Sequence, residues 1–440
     1  MMCSAIIFTY RNILNLEVLE MKDRKTFGER YKWVIAGVCL LVLFVGLGFC
    51  SSAKNAYIAP ITNALHLSRT AFGLNETFRY ATTAFIMLFF QRLINRFGTK
   101  KLILAGLAAY IISALLNAYA TALWMFYLSG IFLGIGVALA ASTMASVIVN
   151  KWFTKNKGTI LGILLSANAA GSAVAISMFT PIIYENGNPF GYRNAYLLTA
   201  VAVAVVFVIT LFLYKEKNDE ISGGTEKKNA KRASDWEGFE YEDLRKNPAY
   251  YAVIISLSVY ALVSVSSISA PHFTDIGFEP EFVALLLSIG SIGLAVAKVI
   301  VGILYDRYGL KLSVNICLFS ALAAKLMLLV ANVSATGKVL AISYSVLISI
   351  ATPLETVMIS IVTMDLFGQK SFNKTLSITT ALFTIGHAIN SPLLSLAHDF
   401  ADSYMISFVT STVVSVAVII VMNMSIVSLK RDAKKETIMR

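Results

Sequence analysis

The chain has 440 residues, of which 57% are hydrophobic and 14% are charged, and its formal net charge is +12 at pH 7. Soluble domains carry about 25% charged residues, so this composition excludes an ordinary soluble globular protein. Apolar runs long enough to cross a bilayer recur along the whole chain, and a bilayer forces such runs to be helices. Composition therefore predicts an all-α membrane protein.

Twelve spans are predicted, with boundaries set to within about 2–4 residues. In chain order they cover 33–59, 71–94, 102–119, 122–149, 158–184, 192–214, 249–272, 281–305, 310–332, 336–363, 371–396 and 402–429. Most of the 37 Lys and Arg residues fall outside these spans, on the side that holds both chain ends. The positive-inside rule places that side in the cytoplasm, so a nucleic-acid partner is not needed to explain the charge.

A polar segment divides the spans into two groups of six. The predicted organisation is a cytoplasmic N-terminal segment, a six-helix bundle, a cytoplasmic linker, a second six-helix bundle and a cytoplasmic tail, over 1–32, 33–214, 215–248, 249–429 and 430–440. Residues 1–20 are open to two interpretations, an amphipathic surface helix or a stretch upstream of a translation start at Met21. The four cysteines form no CxxC pair, and we predict no metal, disulfide or cofactor.

The two groups of six repeat each other at an offset of 211 residues. The segment "QRLINRFGTKK" (Gln91 to Lys101) follows the second span, and "GILYDRYGLKL" (Gly302 to Leu312) follows the eighth. The same offset relates Pro60 to Pro271 and Pro181 to Pro392. Helix breakers at matching places indicate the duplicated halves of a secondary transporter.

These features resemble the major facilitator superfamily over Trp33 to Leu429. The family's loop motif, G-x-x-x-D-R/K-x-G-x-R/K, is matched in the second half by Gly302, Asp306, Arg307, Gly309 and Lys311. The first copy has Gln91 and Asn95 where the family has Gly and Asp. The resemblance implies two pseudo-symmetric six-helix bundles and a gating role for this motif, here Arg96, Gly98, Asp306, Arg307 and Gly309.

A narrower resemblance concerns two segments at span entrances. "KWFTKNKGTILGILLSANAAGSA" (Lys151 to Ala173) and "DLFGQKSFNKTLSITTALFTIG" (Asp365 to Gly386) are similar to the monocarboxylate and oxalate–formate porters. Gly130 stands where many other members of the superfamily carry an arginine. The resemblance implies a monomeric plasma-membrane transporter, not an enzyme, that moves a small organic anion together with protons, without cofactor, metal or nucleic acid.

Charged side chains inside predicted spans cost about 2.5–3.5 kcal/mol each at the bilayer centre and so mark candidate sites. Lys298 in the eighth span is a candidate counter-charge for a carboxylate, with snorkelling to the interface as its alternative. Lys54 in the first span is a candidate for anion binding and proton coupling, and it too could snorkel. Tyr57 is the aromatic residue near Lys54 and completes this predicted site.

The remaining candidates lie in the second, ninth, tenth and eleventh spans. His387 can change charge near neutral pH and is predicted to bind substrate and exchange a proton, with a buried structural histidine as the alternative. Glu355 is a further candidate for proton coupling, against a permanent ion pair. Glu76 and Arg79, spaced i, i+3, are expected to pair with each other, and Lys325 is expected to face lipid or snorkel.

We therefore predict a proton symporter for a small organic anion, a monocarboxylate, that works by alternating access. Three alternatives stay open. They are a carboxylate exchanger of the oxalate–formate type, an exporter of cationic compounds that uses Glu76 and Glu355, and a transporter-like membrane sensor without net flux.

Overall fold

The computed structural model describes residues 31–67, 69–183, 190–216, 238–401 and 404–439. Every described secondary-structure element is helical, which confirms the all-α prediction. Residues 1–30 of the predicted N-terminal segment (1–32) and residues 217–237 of the predicted linker (215–248) lie outside the described residues. The predicted domain boundaries stay a prediction.

The first half contains six helices, two of them in two segments. They are α1a (Tyr31–Cys50), α1b (Asn55–Ala64), α2 and α3 (joined in the helical stretch Arg69–Tyr119, with a kink at Gly98), α4a (Leu123–Ala140), α4b (Ser142–Trp152), α5 (Lys157–Ile183) and α6 (Gly191–Leu213).

The second half repeats this arrangement after a short linker helix, Tyr241–Leu244. Its helices are α7a (Pro248–Leu262), α7b (Ser266–Asp275), α8 (Pro280–Tyr308), α9 (Leu310–Val330), α10a (Ala335–Ala351), α10b (Val357–Phe367), α11 (Phe372–Ala401) and α12 (Met405–Met439).

Helices α1, α4, α7 and α10 are broken inside segments that the sequence predicted as continuous spans. The breaks lie at Ser52–Lys54, at Ala141, at 263–265 and at Thr352–Glu355. The offset of 211 that relates the sequence halves also relates these breaks, and α1b and α7b start and end at matching residues. Irregular backbone at membrane depth must be covered by protein or line a cavity, so the four breaks indicate where a site can form.

Nine helices among the described residues are long and apolar enough to cross a bilayer. The segment Ala71–Tyr119 contains two predicted spans, so these nine helices account for ten of the twelve. The seventh is absent because its break leaves pieces of 15 and 10 residues. The eleventh is absent although α11 has 30 residues, because polar side chains such as His387 and Asn390 lower its hydropathy.

Both ends of the described chain lie on one face of the molecule, together with the described linker residues. Tyr31 at the start of α1 donates to the backbone oxygen of Leu213 at the end of α6. Asn247, just before α7, donates to Asp432 near the end of α12 over 3.1 Å. We call this face the linker side; the charge distribution predicts that it is cytoplasmic.

The two halves meet through α5 with α8 and through α2 with α11. Near the linker side, a Cβ atom added to Gly158 would lie 2.7 Å from the oxygen of Gly302, so these two backbones touch. Small residues permit such close approach of helices in membranes. The hydroxyls of Ser146 in α4b and Ser360 in α10b also meet at 2.5 Å. The halves are therefore closed against each other on the linker side.

Two glycines make the turns after α2 and α8. Gly98 has φ 76° and ψ 167°, and Gly309 has φ 82° and ψ 179°, a backbone region that is essentially restricted to glycine. Glu216 accepts hydrogen bonds from the backbone nitrogen of Thr99 at 2.6 Å and from its hydroxyl at 3.1 Å. These bonds connect the turn after α2 to Glu216, which follows α6 at the end of the first half.

Replacing either glycine by alanine should lower thermal stability, and Gly98→Ala should lower it more. Each substitution forces strain of about 1–3 kcal/mol. At Gly309 the new Cβ would meet no described atom within 4 Å, whereas at Gly98 it would lie 2.5 Å from the Glu216 carboxylate. Thermal unfolding of both variants in detergent tests this. Glu216→Ala should remove the excess cost of Gly98→Ala, and equal costs in the two single variants would contradict the expected clash.

Candidate transport site

A cavity of about 1010 Å³ lies between the two halves. This volume is at the upper end of the usual range for small-molecule sites, roughly 300–1,000 Å³. The cavity is lined mainly by α2, α4, α10 and α11. Its ionisable lining residues among the described side chains are Glu76, Tyr80, Glu355 and His387.

The breaks in α4 and α10 open onto this cavity. Ala141 and Ser142 line it from the first half, and Glu355 and Thr356 line it from the second. The Thr356 hydroxyl is buried and has no hydrogen-bond partner among the described residues. A buried hydroxyl without a partner is costly, so this group is available to a polar substrate or a water molecule.

Glu355 and His387 form a pair on the cavity wall. His387 Nε2 lies 3.6 Å from Glu355 Oε2, and the two side chains are 20% and 14% exposed. The hydroxyl of Ser264, in the break of α7, donates to Glu355 Oε1 over 3.1 Å. Two of the three predicted coupling residues, Glu355 and His387, are therefore brought together by α7, α10 and α11, whereas Lys54 lies at the break of α1.

The first half faces this pair with Tyr80. The Tyr80 ring stacks on the His387 ring with centroids 6.2 Å apart and planes at 13°. The guanidinium of Arg79 lies 3.9 Å from the centroid of the Tyr80 ring and forms an ion pair with Glu76 at 2.6 Å. The predicted Glu76–Arg79 pair is confirmed, and Tyr80, which the sequence analysis did not single out, connects it to His387 across the two halves.

Lys298 lies outside the described cavity lining, between α8 and α5. Its side chain is buried, and its ammonium donates to the oxygen of Leu165 at 3.1 Å and to Asn168 Oδ1 at 2.8 Å. Asn168 in turn donates to Ser52 in the break of α1 over 3.4 Å. Lys298 does not snorkel; it joins the two halves. Its role as an anion's counter-charge stays a prediction, and that role requires its release from α5.

Lys325 was expected to face lipid or to snorkel, and that expectation is wrong. The side chain is only 2% exposed, and its ammonium donates to Val263 O at 2.9 Å and to Ser415 Oγ at 2.6 Å. The break in α7 frees the Val263 carbonyl from its helix. That carbonyl attracts the ammonium towards the bundle interior.

The predicted pair Lys54 and Tyr57 lies at the break of α1. Lys54 ends the 3-10 turn Ser52–Lys54, and its side chain is outside the described part of the chain. Tyr57 is buried and stacks on Tyr196 of α6, with ring centroids 4.3 Å apart. The structure thus places Tyr57 inside the first half, and substrate binding by either residue stays a prediction.

Among the predicted gating residues, Asp306 makes the most contacts. It lies in the last turn of α8 and accepts hydrogen bonds from the first turn of α5, namely from Gly158 N at 3.1 Å, Thr159 N at 2.7 Å and Thr159 Oγ1 at 2.6 Å. An acidic group at a helix N-terminus is favourable because of the helix dipole. Arg96 and Arg307 are exposed on the same side.

Sequence analysis did not single out a second linker-side cluster. Asp365 at the end of α10b accepts a hydrogen bond from the Tyr305 hydroxyl at 3.2 Å and forms an ion pair with Lys430 at 3.1 Å. These contacts tie α8, α10 and α12 together beside Asp306. The sequence offered one signal for this cluster, which is that Asp365 is an acidic residue just after the predicted span 336–363.

Comparison with known proteins identifies the family. The family model described as Major Facilitator Superfamily matches residues 38–390 and 253–437. Multidrug resistance protein 2 of Bacillus subtilis is 25% identical over 296 residues, which are 64% of this chain and 68% of that protein. Monocarboxylate transporter 13 of Rattus norvegicus is 24% identical over 325 residues, 72% and 71% of the two chains.

An MFS-type transporter of Bacillus subtilis matches over 211 residues, which are 48% of this chain and 50% of that protein. Among solved structures, that of the proton:xylose symporter XylE superimposes with a TM-score of 0.69 at 13% identity. That superposition covers 90% of this chain and 96% of the XylE chain. The likeness shows the fold.

Asp306→Asn should open the linker side. The charged acceptor contributes about 1.5–3 kcal/mol to closure, so its loss should raise the open population about tenfold or more. A cysteine introduced at Ala388 in the cavity would report opening through its labelling rate from the linker side. Asn95→Ala is the matched control, because Asn95 is the counterpart of Asp306 at the offset of 211. Equal labelling rates in wild type and Asp306→Asn would contradict the gating role.

Proposed function

Because the chain belongs to the Major Facilitator Superfamily, we propose that it moves a small organic anion, a monocarboxylate, together with a proton through the cavity between its halves. The observation that carries this proposal is the pairing of Glu355 with His387 at 3.6 Å in the cavity wall. The coupling of proton and anion follows from the charges of that pair.

The pair links proton binding to anion binding through its net charge. With Glu355 ionised and His387 protonated, the pair is neutral and has little attraction for an anion. A further proton on Glu355 removes the negative charge and leaves the imidazolium free to donate to a carboxylate. An anion and a proton would then enter the cavity together, and no net charge would cross with them.

Two further features support an anionic substrate. The segment from Lys151 to Ala173 resembles monocarboxylate porters, and monocarboxylate transporter 13 is among the relatives. Lys298 is held by neutral acceptors of α5, with no carboxylate partner among the described residues. If the halves separate on the linker side, the Lys298 ammonium loses those acceptors and becomes available to a carboxylate.

A second candidate is export of cationic compounds. It is favoured by the two carboxylates in the cavity lining, Glu76 and Glu355, and by the cavity volume of about 1010 Å³. Multidrug resistance protein 2 of Bacillus subtilis is similar to this chain as well. A substrate cation would compete with Arg79 for Glu76 and with His387 for Glu355.

A thermal-shift screen of the purified chain against small carboxylates and against lipophilic cations distinguishes the two candidate substrate classes. A ligand that binds only the folded state raises its stability. We expect stabilisation by a carboxylate that grows as pH falls, because proton and anion bind together. Stabilisation by cations alone, growing as pH rises, would favour the second candidate. Flux into vesicles separates a carrier from a sensor without net transport.

Glu355→Gln should abolish accumulation driven by an inward proton gradient, while leaving exchange of internal for external anion intact. The amide keeps the shape of the side chain and cannot take up the coupling proton. Uptake of a stabilising carboxylate into proteoliposomes, with and without the gradient, measures this. Glu76→Gln is the control, because its carboxylate is paired with Arg79, and it should retain gradient-driven uptake. Wild-type uptake that needs internal anion and ignores the gradient would identify an exchanger instead.

Lys298→Met should abolish stabilisation by the carboxylate while the protein still folds. The thioether fills a similar volume but offers no charge and no donor to the anion or to Asn168. Asn168→Ala is the matched control, because it removes the acceptor and keeps the ammonium, and it should retain carboxylate binding. Unaltered carboxylate affinity in Lys298→Met would remove Lys298 from the site.

A further inference from the structure

The hydroxyl of Thr356 in the cavity wall has no hydrogen-bond partner among the described residues, although its oxygen is buried. Two other threonines of α10 behave differently. Thr352 and Thr363 each donate to the carbonyl four residues earlier, at 2.7 Å. A hydroxyl bonded in that way is already satisfied by its own helix, whereas the hydroxyl of Thr356 is left for a group inside the cavity.

The break of α10 explains this difference. Thr356 has φ −129° and ψ −73°, outside the helical region, and its backbone nitrogen donates to the oxygen of Pro353 at 3.2 Å. A threonine hydroxyl reaches the carbonyl four residues earlier only where the backbone is regular helix. The break thus prevents that bond. A buried hydroxyl held without a partner in a cavity wall indicates a position for a polar group of a ligand.

Further hydroxyls line the same cavity from the other helices that form it. Those without a hydrogen bond to another described residue belong to Thr77 of α2, Ser142 and Thr143 of α4b, and Thr380 of α11. Other lining hydroxyls are satisfied by the protein, since Thr83 donates to the oxygen of Gly134 and Thr384 donates to the oxygen of Thr380. Hydroxyls open to a ligand are therefore distributed over all four helices that mainly line the cavity.

This distribution exceeds what one carboxylate can use. An ionised carboxylate only accepts hydrogen bonds, and both of its oxygens lie on a single carbon. Serine and threonine hydroxyls both donate and accept, and here they surround a cavity of about 1010 Å³. A ligand that satisfies them needs several groups that also donate and accept, spread along its length. Hydroxyls on neighbouring carbons have this property.

We propose that the transported anion is a polyhydroxylated monocarboxylate, and that Thr356 is a specificity-determining residue that bonds one of its hydroxyls. Thr356 directly follows Glu355, and both line the cavity, so the hydroxyl that it bonds lies near the carboxylate end of the substrate. The inference rests on the proposed function for that carboxylate alone. An aliphatic acid would leave these hydroxyls unpaired, and a site built to bond a substrate hydroxyl discriminates strongly against an analogue that lacks it.

The test compares three ligands of equal carbon number by isothermal titration calorimetry on the purified full-length protein. Gluconate has a carboxylate and a hydroxyl on each of its other carbons, hexanoate has only the carboxylate, and sorbitol has only hydroxyls. We expect gluconate to bind about tenfold more tightly than hexanoate, or better, because its hydroxyls form hydrogen bonds that hexanoate cannot form. Sorbitol should bind more weakly than gluconate because it lacks the charge.

Thr356→Val keeps the shape of the side chain and removes its hydroxyl, so it should weaken gluconate binding about tenfold and leave hexanoate binding unchanged. Thr356→Ser keeps the hydroxyl and should retain gluconate binding. Thr379→Val is the matched control, because the Thr379 hydroxyl of α11 is also buried without a described partner but lies outside the cavity lining. That control should leave the affinity for gluconate unchanged.

Equal affinities for hexanoate and gluconate would overturn the inference and leave the monocarboxylate proposal intact. Equal affinities for sorbitol and gluconate would have the opposite meaning, because the anion proposal would fail while recognition of hydroxyls would stand. No binding of either gluconate or sorbitol would overturn the inference as well. Equal losses of gluconate binding in Thr356→Val and Thr379→Val would remove Thr356 from the site.

Discussion

The structure depends on one constraint, that a polar backbone group at membrane depth must have a partner. Four helices are broken inside their predicted spans, and each break releases carbonyl and amide groups that a continuous helix would satisfy. At α7 the partners are the side chains of Asn390, Lys325 and Ser411. At α4 and α10 the irregular backbone borders the cavity instead. The candidate site lies where the chain departs from regular helix.

This constraint also explains why charged residues are tolerated inside the spans. Lys325 is stabilised by oxygens that the break of α7 exposes, and Glu355 is stabilised by a hydroxyl of the same segment. Lys298 is stabilised by a carbonyl and an amide of α5. Each of these three charges is therefore held by local backbone or helix contacts, and of the three only Glu355 lines the cavity, together with Glu76 and His387.

The sequence predicted those features that follow from composition, spacing and repetition. Twelve apolar spans, two related halves and the Glu76–Arg79 pair follow from hydropathy, the offset of 211 and helical spacing. The break of α7 could not be predicted in the same way, because it falls in the sequence Val263-Ser264-Val265, which contains no glycine or proline. Pro353 within the break of α10 was a usable signal. The Lys325 side chain points to a carbonyl that the break of α7 exposes. Because the sequence did not predict that break, the position of Lys325 on its helix led to the wrong expectation that the side chain faces lipid or snorkels.

The polar contacts of the molecule fall into two groups with different consequences for transport. Asp306 with the start of α5, Lys298 with Asn168 and Tyr80 with His387 all join one half to the other. Alternating access requires such contacts to break and re-form, so their strength sets the balance between the two open states. The contacts around the break of α7 lie within the second half and need not change. The proposed proton-exchanging pair, Glu355 and His387, thus lies beside contacts that stay within the second half, while its stacking partner, Tyr80, belongs to the first half.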